Sequence, residues 1–350
     1  MPLATEAQTY TFVDLTPSGY VGLRANGISS GQQAGVGQSV ASGNAYHALL
    51  WSGTPASAVD LNPTGFSTSD AYGISGDQQV GAGLTGGNSH ALLWSGTAAS
   101  AVDLNPRGFT VSSANGISGG QQVGYAYGPS TGGSEHALLW SGTAASAVDL
   151  NPSGFSGSDA YGISGGQQAG YGYGPSTGEN NHALLWSGTA ASAVDLNPSG
   201  FSESDAWGIS GDQQVGLGET SGYFHALLWY GTAASAVDLN PSGFTESSAN
   251  GISGGQQVGW GLSTNHNYNA LLWSGTAASV VDLQSILPSK YNSSQAYAID
   301  TNGDIVGEAY NTSTGTEDAM LWVLVPEPST FALAGLGAAA LFMLHRHKRG

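Results

Sequence analysis

Seven copies of one short phrase run through this chain. Val-Asp-Leu begins at Val13, Val59, Val102, Val148, Val194, Val237 and Val281, at intervals of 46, 43, 46, 46, 43 and 44 residues. Three further phrases keep step with it. Ala-x-Gly-Ile-Ser starts at Ala25, Ala71, Ala114, Ala160, Ala206 and Ala249, with Ala296-Tyr-Ala-Ile-Asp300 as the seventh copy. Gln-Gln-Val/Ala-Gly follows in six units and decays to Asp304-Ile-Val-Gly307. His-Ala-Leu-Leu-Trp begins at His47, His90, His136, His182 and His225, and its first residue then becomes Asn269 and Asp318. A unit of this length cannot bury its apolar face alone, so the copies must pack on one another.

Each phrase reads as a strand. The phrases are short, carry Val, Ile, Leu, Trp and Tyr, and are bounded by Gly, Ser, Asn and Pro clusters. Gly-Gly or Gly-Asp between Ile-Ser and Gln-Gln is hairpin turn chemistry. Four strands in a period of this size predict an all-β, seven-bladed β-propeller, with a solenoid as the alternative. Closure favours the propeller. The seventh unit lacks its own fourth strand, and the chain starts with an orphan copy, Thr9-Tyr-Thr-Phe-Val-Asp-Leu15. Set beside Ala319–Val323, that N-terminal strand completes the last blade and removes the open sheet edges. The wording of the repeat resembles the HAF-type extracellular repeat family, whose units read roughly Ile-Asn-x-x-Gly-Gln-Val-Val-Gly, then His-Ala-Phe-Leu-Trp, then Asp-Leu. Ile117–Gly124 and His136–Trp140 carry the likeness, with Leu for Phe and Ser for Asn. The resemblance implies an extracellular setting and offers no catalytic residues.

The C-terminus is a different kind of sequence. Val325-Pro326-Glu327-Pro328-Ser329-Thr330 precedes an apolar run, Phe331–Leu344, and a basic end with Arg346, Lys348 and Arg349. Turn, short hydrophobic helix and basic stop resemble the PEP-CTERM signal of bacterial surface and exopolysaccharide-associated proteins. That resemblance implies an exosortase-type membrane processing enzyme as partner, with exopolysaccharide as a further one. Fourteen apolar residues make roughly 21 Å of helix, short of the ~30 Å hydrocarbon core, which suits an address better than a lasting anchor. The basic end would stay cytoplasmic as a membrane stop. The division expected is 1–8 as an N-terminal leader remnant, 9–325 as the propeller and 326–350 as the sorting tail. Residues 1–8 show neither a basic nor an apolar segment, and a signal peptide encoded upstream of Met1 is the expectation.

Charge narrows the function. The chain has a formal net charge of −18; without the tail, three basic and 23 acidic residues leave −20. Nucleic acid and anionic lipid need clustered cations, which this body lacks. With no cysteine there are no disulfides and no thiol chemistry. With 55 glycines, no Gly motif is informative. The repeated histidines would bind metal if they shared one channel, or tie neighbouring strands by hydrogen bonds. Recurrence in five units favours the second reading, since catalytic and metal sites break repeat symmetry. The repeated Asp residues (Asp14, Asp60, Asp103, Asp149, Asp195, Asp238, Asp282) suit caps for the following turns better than a calcium ring. Asp300-Thr-Asn-Gly-Asp304 reads as a turn rather than a calcium loop. No cofactor and no metal are expected, and the chain is read as a non-enzyme.

Variation among the units points to one face. In an antiparallel blade the second-to-third and fourth-to-first loops lie on the same side. Those loops vary and carry aromatics: Tyr125 and Tyr127, Tyr171 and Tyr173, Tyr223 and Phe224, Trp260, Tyr268. The opposite loops, Ser-Gly-Gly and Ser-Gly-Thr-Ala-Ala-Ser, barely change. The residue after the repeated Ala alternates in kind: Asn26, Tyr72, Asn115, Tyr161, Trp207, Asn250, Tyr297. Asp70, Asp159 and Asp205 stand two residues before three of the aromatics. Either an aromatic and a carboxylate meet a sugar in each such blade, or the two versions are two packing solutions for one blade junction. The expectation is an exported, non-enzymatic surface or matrix protein, membrane-held through its tail before processing. A glycan-binding propeller and a propeller glycoside hydrolase or lyase are the alternatives.

Overall fold

Each phrase folds into one strand. In the fourth unit these are Gly157–Ser164, Gln167–Tyr173, His182–Trp186 and the two-residue Val194–Asp195. The computed structural model describes residues 8–325. Seven such antiparallel sheets, each of four strands, stand around one axis as a seven-bladed β-propeller. The ring closes as the orphan strand suggests. Thr9–Asp14 pairs with Thr316–Val325, from Thr9 opposite Val325 to Asp14 opposite Met320. The expected C-terminal helix lies outside the described residues.

The third strand supplies the mortar. His-Ala-Leu-Leu-Trp is buried from Ala to Trp because a neighbouring blade covers each side of it. The seven tryptophans Trp51, Trp94, Trp140, Trp186, Trp229, Trp273 and Trp322 are fully buried. Apolar clusters sit between successive blades; one joins Ala34, Ala48, Leu50 and Leu61 of the first blade to Ala71, Ile74, Leu92 and Trp94 of the second. Burial of this kind stabilises by roughly 25 cal/mol per Å² of apolar surface.

The first strand breaks its own alternation. Ala71 and Ile74 enter the same cluster although three residues separate them, which a regular strand with its period of two forbids. A β-bulge at Tyr72 restores the parity: Ala71 pairs with Gly81 and Gly73 with Val80, leaving Tyr72 unopposed. The same skip falls at the x of Ala-x-Gly, or Ala-x-Ala in the seventh blade, in every blade. The bulge also dictates the second strand. A Cβ added at Gly170 would run into the carbonyl oxygen of Asp159 on the facing strand, and the equivalent glycine of every blade meets the same obstacle.

First strands run from the variable face to the constant face. In six of the seven units the constant face is locked by a buried glutamine. Gln122 donates from Nε2 to Gly120 O at 2.8 Å and accepts from Gly142 N at 2.8 Å. Ser146 accepts from Ser141 N at 2.8 Å and donates to Thr143 O. Equivalent bonds recur along the chain. Near-identity of these loops is therefore a structural requirement.

Candidate functional site: an aromatic cavity on the propeller axis

The seven bulge residues come together on the axis. A bulge re-aims its side chain out of the pleat, and here all seven blades aim at one channel. On the constant side a cavity of about 210 Å³ is lined by these residues with the Gly-Ile or Ala-Ile that follows each. On the variable side a cavity of about 440 Å³ is lined by the same seven together with Ser113, Tyr125 and Trp260. The bulge residues thus form a waist, and the larger chamber opens above it. Six of its ten wall residues are aromatic: Tyr72, Tyr125, Tyr161, Trp207, Trp260 and Tyr297.

The wall is built in two ways. Where the bulge residue is Asn, its amide ties the blade to the next one. Asn26 Nδ2 donates to Ala71 O at 2.8 Å, Asn115 Nδ2 to Ala160 O at 3.1 Å, and Asn250 Nδ2 to Ala296 O at 2.9 Å. Ser113 and Ser248 hold the Asn115 and Asn250 carbonyls, each at 2.9 Å. The small serine leaves room for a large neighbour on the second strand. Tyr125 pairs with Ser113 and Trp260 with Ser248, and both reach the chamber. Where the bulge residue is aromatic, it fills the wall itself. Tyr161 meets Trp207 edge-to-face at 4.5 Å, and Tyr171 packs on both, at 6.0 and 6.4 Å between centroids. Blade junction and cavity wall are thus one structure.

Carboxylates stand behind the rings. Asp159 is 2% exposed and accepts from Asn115 Nδ2 at 3.0 Å. Burial raises its pKa well above the ordinary range, with Glu135 and Asp205 adding to the effect against the bonds it accepts. Asp205 accepts from Asn181 Nδ2 at 3.1 Å and is pushed up to about 6, chiefly by burial. Burial likewise raises Asp70 and Glu308, with Arg24 acting the other way on both. The Tyr125 phenol is pushed up to about 12, by burial first and by Asp159 and Glu135 next. It stays protonated, and a donor, through the neutral range. The chamber therefore presents ring faces, phenol hydroxyls and amides, with buried carboxyl groups one layer back.

Of the aromatics singled out in the sequence, Tyr72, Tyr125, Tyr161, Trp207 and Trp260 share this wall, and Tyr171 supports two of them. Tyr127 and Tyr173 lie at the outer ends of their strands, opposite Val111 and Gly157, and stay out of the chamber. Tyr268 stacks edge-to-face on Trp260 at 5.0 Å, while Tyr223 is exposed at the start of its strand. Val325 ends the last described strand, and Pro326, Glu327, Pro328, Ser329, Thr330, Arg346, Lys348 and Arg349 lie outside the described residues. Sequence reasoning passed over Tyr297 and Asn115 as site residues. The odd spacing from the repeated Ala to Ile was the available signal, because it marks the bulge.

The histidines sit elsewhere, toward the outer strands. His136 Nδ1 bonds Asp149 Oδ2 at 2.7 Å, and Asp149 Oδ1 accepts the Asn151 N–H at 2.8 Å. Asn151 Nδ2 lies 3.4 Å from His136 Nε2, and Ser158 bonds Asn151 Oδ1. An amide can donate only to an unprotonated ring nitrogen, so the neutral Nδ1–H form fits this network. Asn269 keeps the bond in the sixth blade, to Asp282 at 2.8 Å. In the seventh, the Tyr291 hydroxyl lies 3.0 Å from both Asp14 and Asp318. Asp300 caps its own turn through Asn302 N and Asp304 N. Among the described residues no three metal-ligating side chains converge.

Solved structures share the fold. Puromycin hydrolase, as an S511A mutant complexed with PGG, aligns at a TM-score of 0.57 and 11% identity, over 85% of this chain and 53% of that one. The chain spans about half the length of that protein, so the likeness concerns the propeller alone. The β-propeller domain of the Trilobed protease from Pyrococcus furiosus aligns at 0.57 and 9% identity, over 87% and 93%. That domain is described as having an open velcro topology, whereas here the terminal strands pair. No curated protein matches the sequence. Among the described residues no helix is long and apolar enough to cross a membrane. The tail is where a family match falls: the family model described as the PEP-CTERM protein-sorting motif covers residues 324–349, which supports an exported protein sorted and membrane-held through its C-terminus.

Proposed function

We propose that the protein is a non-enzymatic surface or matrix propeller that holds a glycan in its axial chamber after export and exosortase processing. One observation carries the reading: six aromatics, one from each of six repeats, converge on a single open cavity of about 440 Å³. Flat ring faces pack against the C–H faces of a sugar, and the phenols and amides beside them supply hydrogen bonds, the usual division of labour in a concave site. Exopolysaccharide is the glycan that the sorting tail brings within reach. The hydrolase or lyase alternative lacks support in the wall, which offers Asn, Ser, Tyr and Trp. The carboxylates that would serve as acid and base lie behind the rings.

A glycan array probed with the full-length chain tests this. Trp207→Ala and Tyr161→Ala should each weaken binding about tenfold, equivalent to about 1.4 kcal/mol. Tyr127→Ala, outside the chamber, should leave it unchanged. No glycan bound, or binding indifferent to Trp207 and Tyr161, would overturn the reading.

A further inference from the structure

The direction of the last strand decides which way the chamber points. Thr316–Val325 is the third strand of its blade and runs from the variable face to the constant face. Its end is pinned there. Val325 pairs with Thr9, the Leu324 N–H donates to Asp304 Oδ1 at 2.9 Å, and Gly303 lies against the Leu324 side chain. The chain thus enters the body at Thr9 and leaves it at Val325 on the same face, opposite the mouth of the chamber.

The exit has almost no slack. Residues 326–330 are all that separate the propeller from the apolar run beginning at Phe331. Five residues span at most about 17 Å fully extended. A body of this length has a radius of gyration of about 20 Å, hence a diameter of about 50 Å. Such a tether cannot let the far face swing round to the bilayer.

We infer that, in the membrane-held form, the constant face lies against the lipid surface and the aromatic chamber opens away from it. The near-invariant loops form the base of the molecule, and the variable face is the one displayed to the exterior. This orientation rests on the reading of the tail as membrane-inserting. It does not depend on what the chamber binds.

The absence of cysteine makes the test simple. Asp77→Cys and Asp212→Cys place a thiol at exposed hairpin tips of the constant face, and Thr264→Cys and Asn265→Cys on an exposed loop of the variable face. Each full-length variant is added to preformed anionic phospholipid vesicles, recovered by flotation, and labelled with a small maleimide and with a bulky polyethylene-glycol maleimide. The ratio of the two rates reports shielding independently of thiol reactivity. The ratio should fall severalfold at Asp77→Cys and Asp212→Cys relative to Thr264→Cys and Asn265→Cys. Equal ratios, or shielding of the variable face, in protein that floats with the vesicles would overturn the orientation alone. Protein that fails to float would overturn the tail reading and the orientation with it.

Discussion

The two ends of the same strands obey different rules. At the constant end six of the seven units repeat one solution: a buried glutamine with both amide groups bonded, a serine closing the next loop, and a glycine facing the bulge. At the variable end the units differ, and the differences are matched to one another. Ser113 and Ser248 stand opposite the aromatics Tyr125 and Trp260, whereas Asp70 and Asp205, two residues before the aromatic bulges Tyr72 and Trp207, stand opposite Ala82 and Leu217, and Asp159 of the Tyr161 blade stands opposite Tyr171. A frame that repeats without change holds the blades at one end, and at the other the residues that line the chamber vary in matched sets while still joining blade to blade.

The sharpest way to break that contrast is to remove one tryptophan of each kind. Trp140 belongs to the frame and is fully buried between blades, while Trp207 is half-buried in the chamber wall. Trp140→Ala should cost about 3–5 kcal/mol of folding stability, the range for emptying a packed aromatic site. Trp207→Ala should cost under about 2 kcal/mol, because solvent already reaches one side of it. Chemical denaturation of the two variants checks this, and equal losses would mean that the wall is part of the frame. Trp140→Phe isolates volume from polarity. The indole N–H has no hydrogen-bond partner, so the smaller ring gives up packing alone.

A second comparison concerns polar satisfaction. Gln122→Leu keeps the volume but strands Gly120 O and Gly142 N, two backbone groups that only this side chain serves. The expected loss is about 2 kcal/mol, read in the same denaturation experiment. An unchanged midpoint would show that the constant loops hold without their glutamines.

Much of the frame was legible in the residues themselves. Four phrases per unit, the orphan strand Thr9–Leu15 and the seven tryptophans specify blades, closure and core, because periodicity and turn chemistry are local signals. The chamber was legible only in part. Tyr72, Tyr161 and Trp207 drew notice through their contrast with Asn at equivalent positions. That they face one another depends on a bulge repeated around a closed ring, and no single unit reveals where its neighbours point. Tyr127 and Tyr173 illustrate the limit. They stand two residues from Tyr125 and Tyr171 and alternate with small residues, so sequence alone puts them in one group. They are the last residues of their strands, beyond the level of the chamber wall.

The smallest expected effect probes the electrostatics behind the wall. Burial lifts Asp205 from its ordinary 3.8 to about 6, so the folded protein holds a proton there that the unfolded chain releases earlier. The sign follows directly. The contribution is complete below about pH 3.8 and is lost as pH rises through about 6, where the folded state must ionise a carboxyl under the rings. Asp205→Asn keeps an acceptor for Asn181 and never ionises. It should therefore be more stable than the parent at pH 7, by about 1 kcal/mol once relaxation and residual hydration are allowed for, against a ceiling of about 3 kcal/mol set by the full displacement. Near pH 4 the two proteins should converge. Thermal unfolding followed between pH 4 and 7 gives the answer, with a shallower decline expected for the variant. Identical slopes would show that Asp205 ionises at no cost, and that the aromatic layer leaves its carboxylate in contact with water.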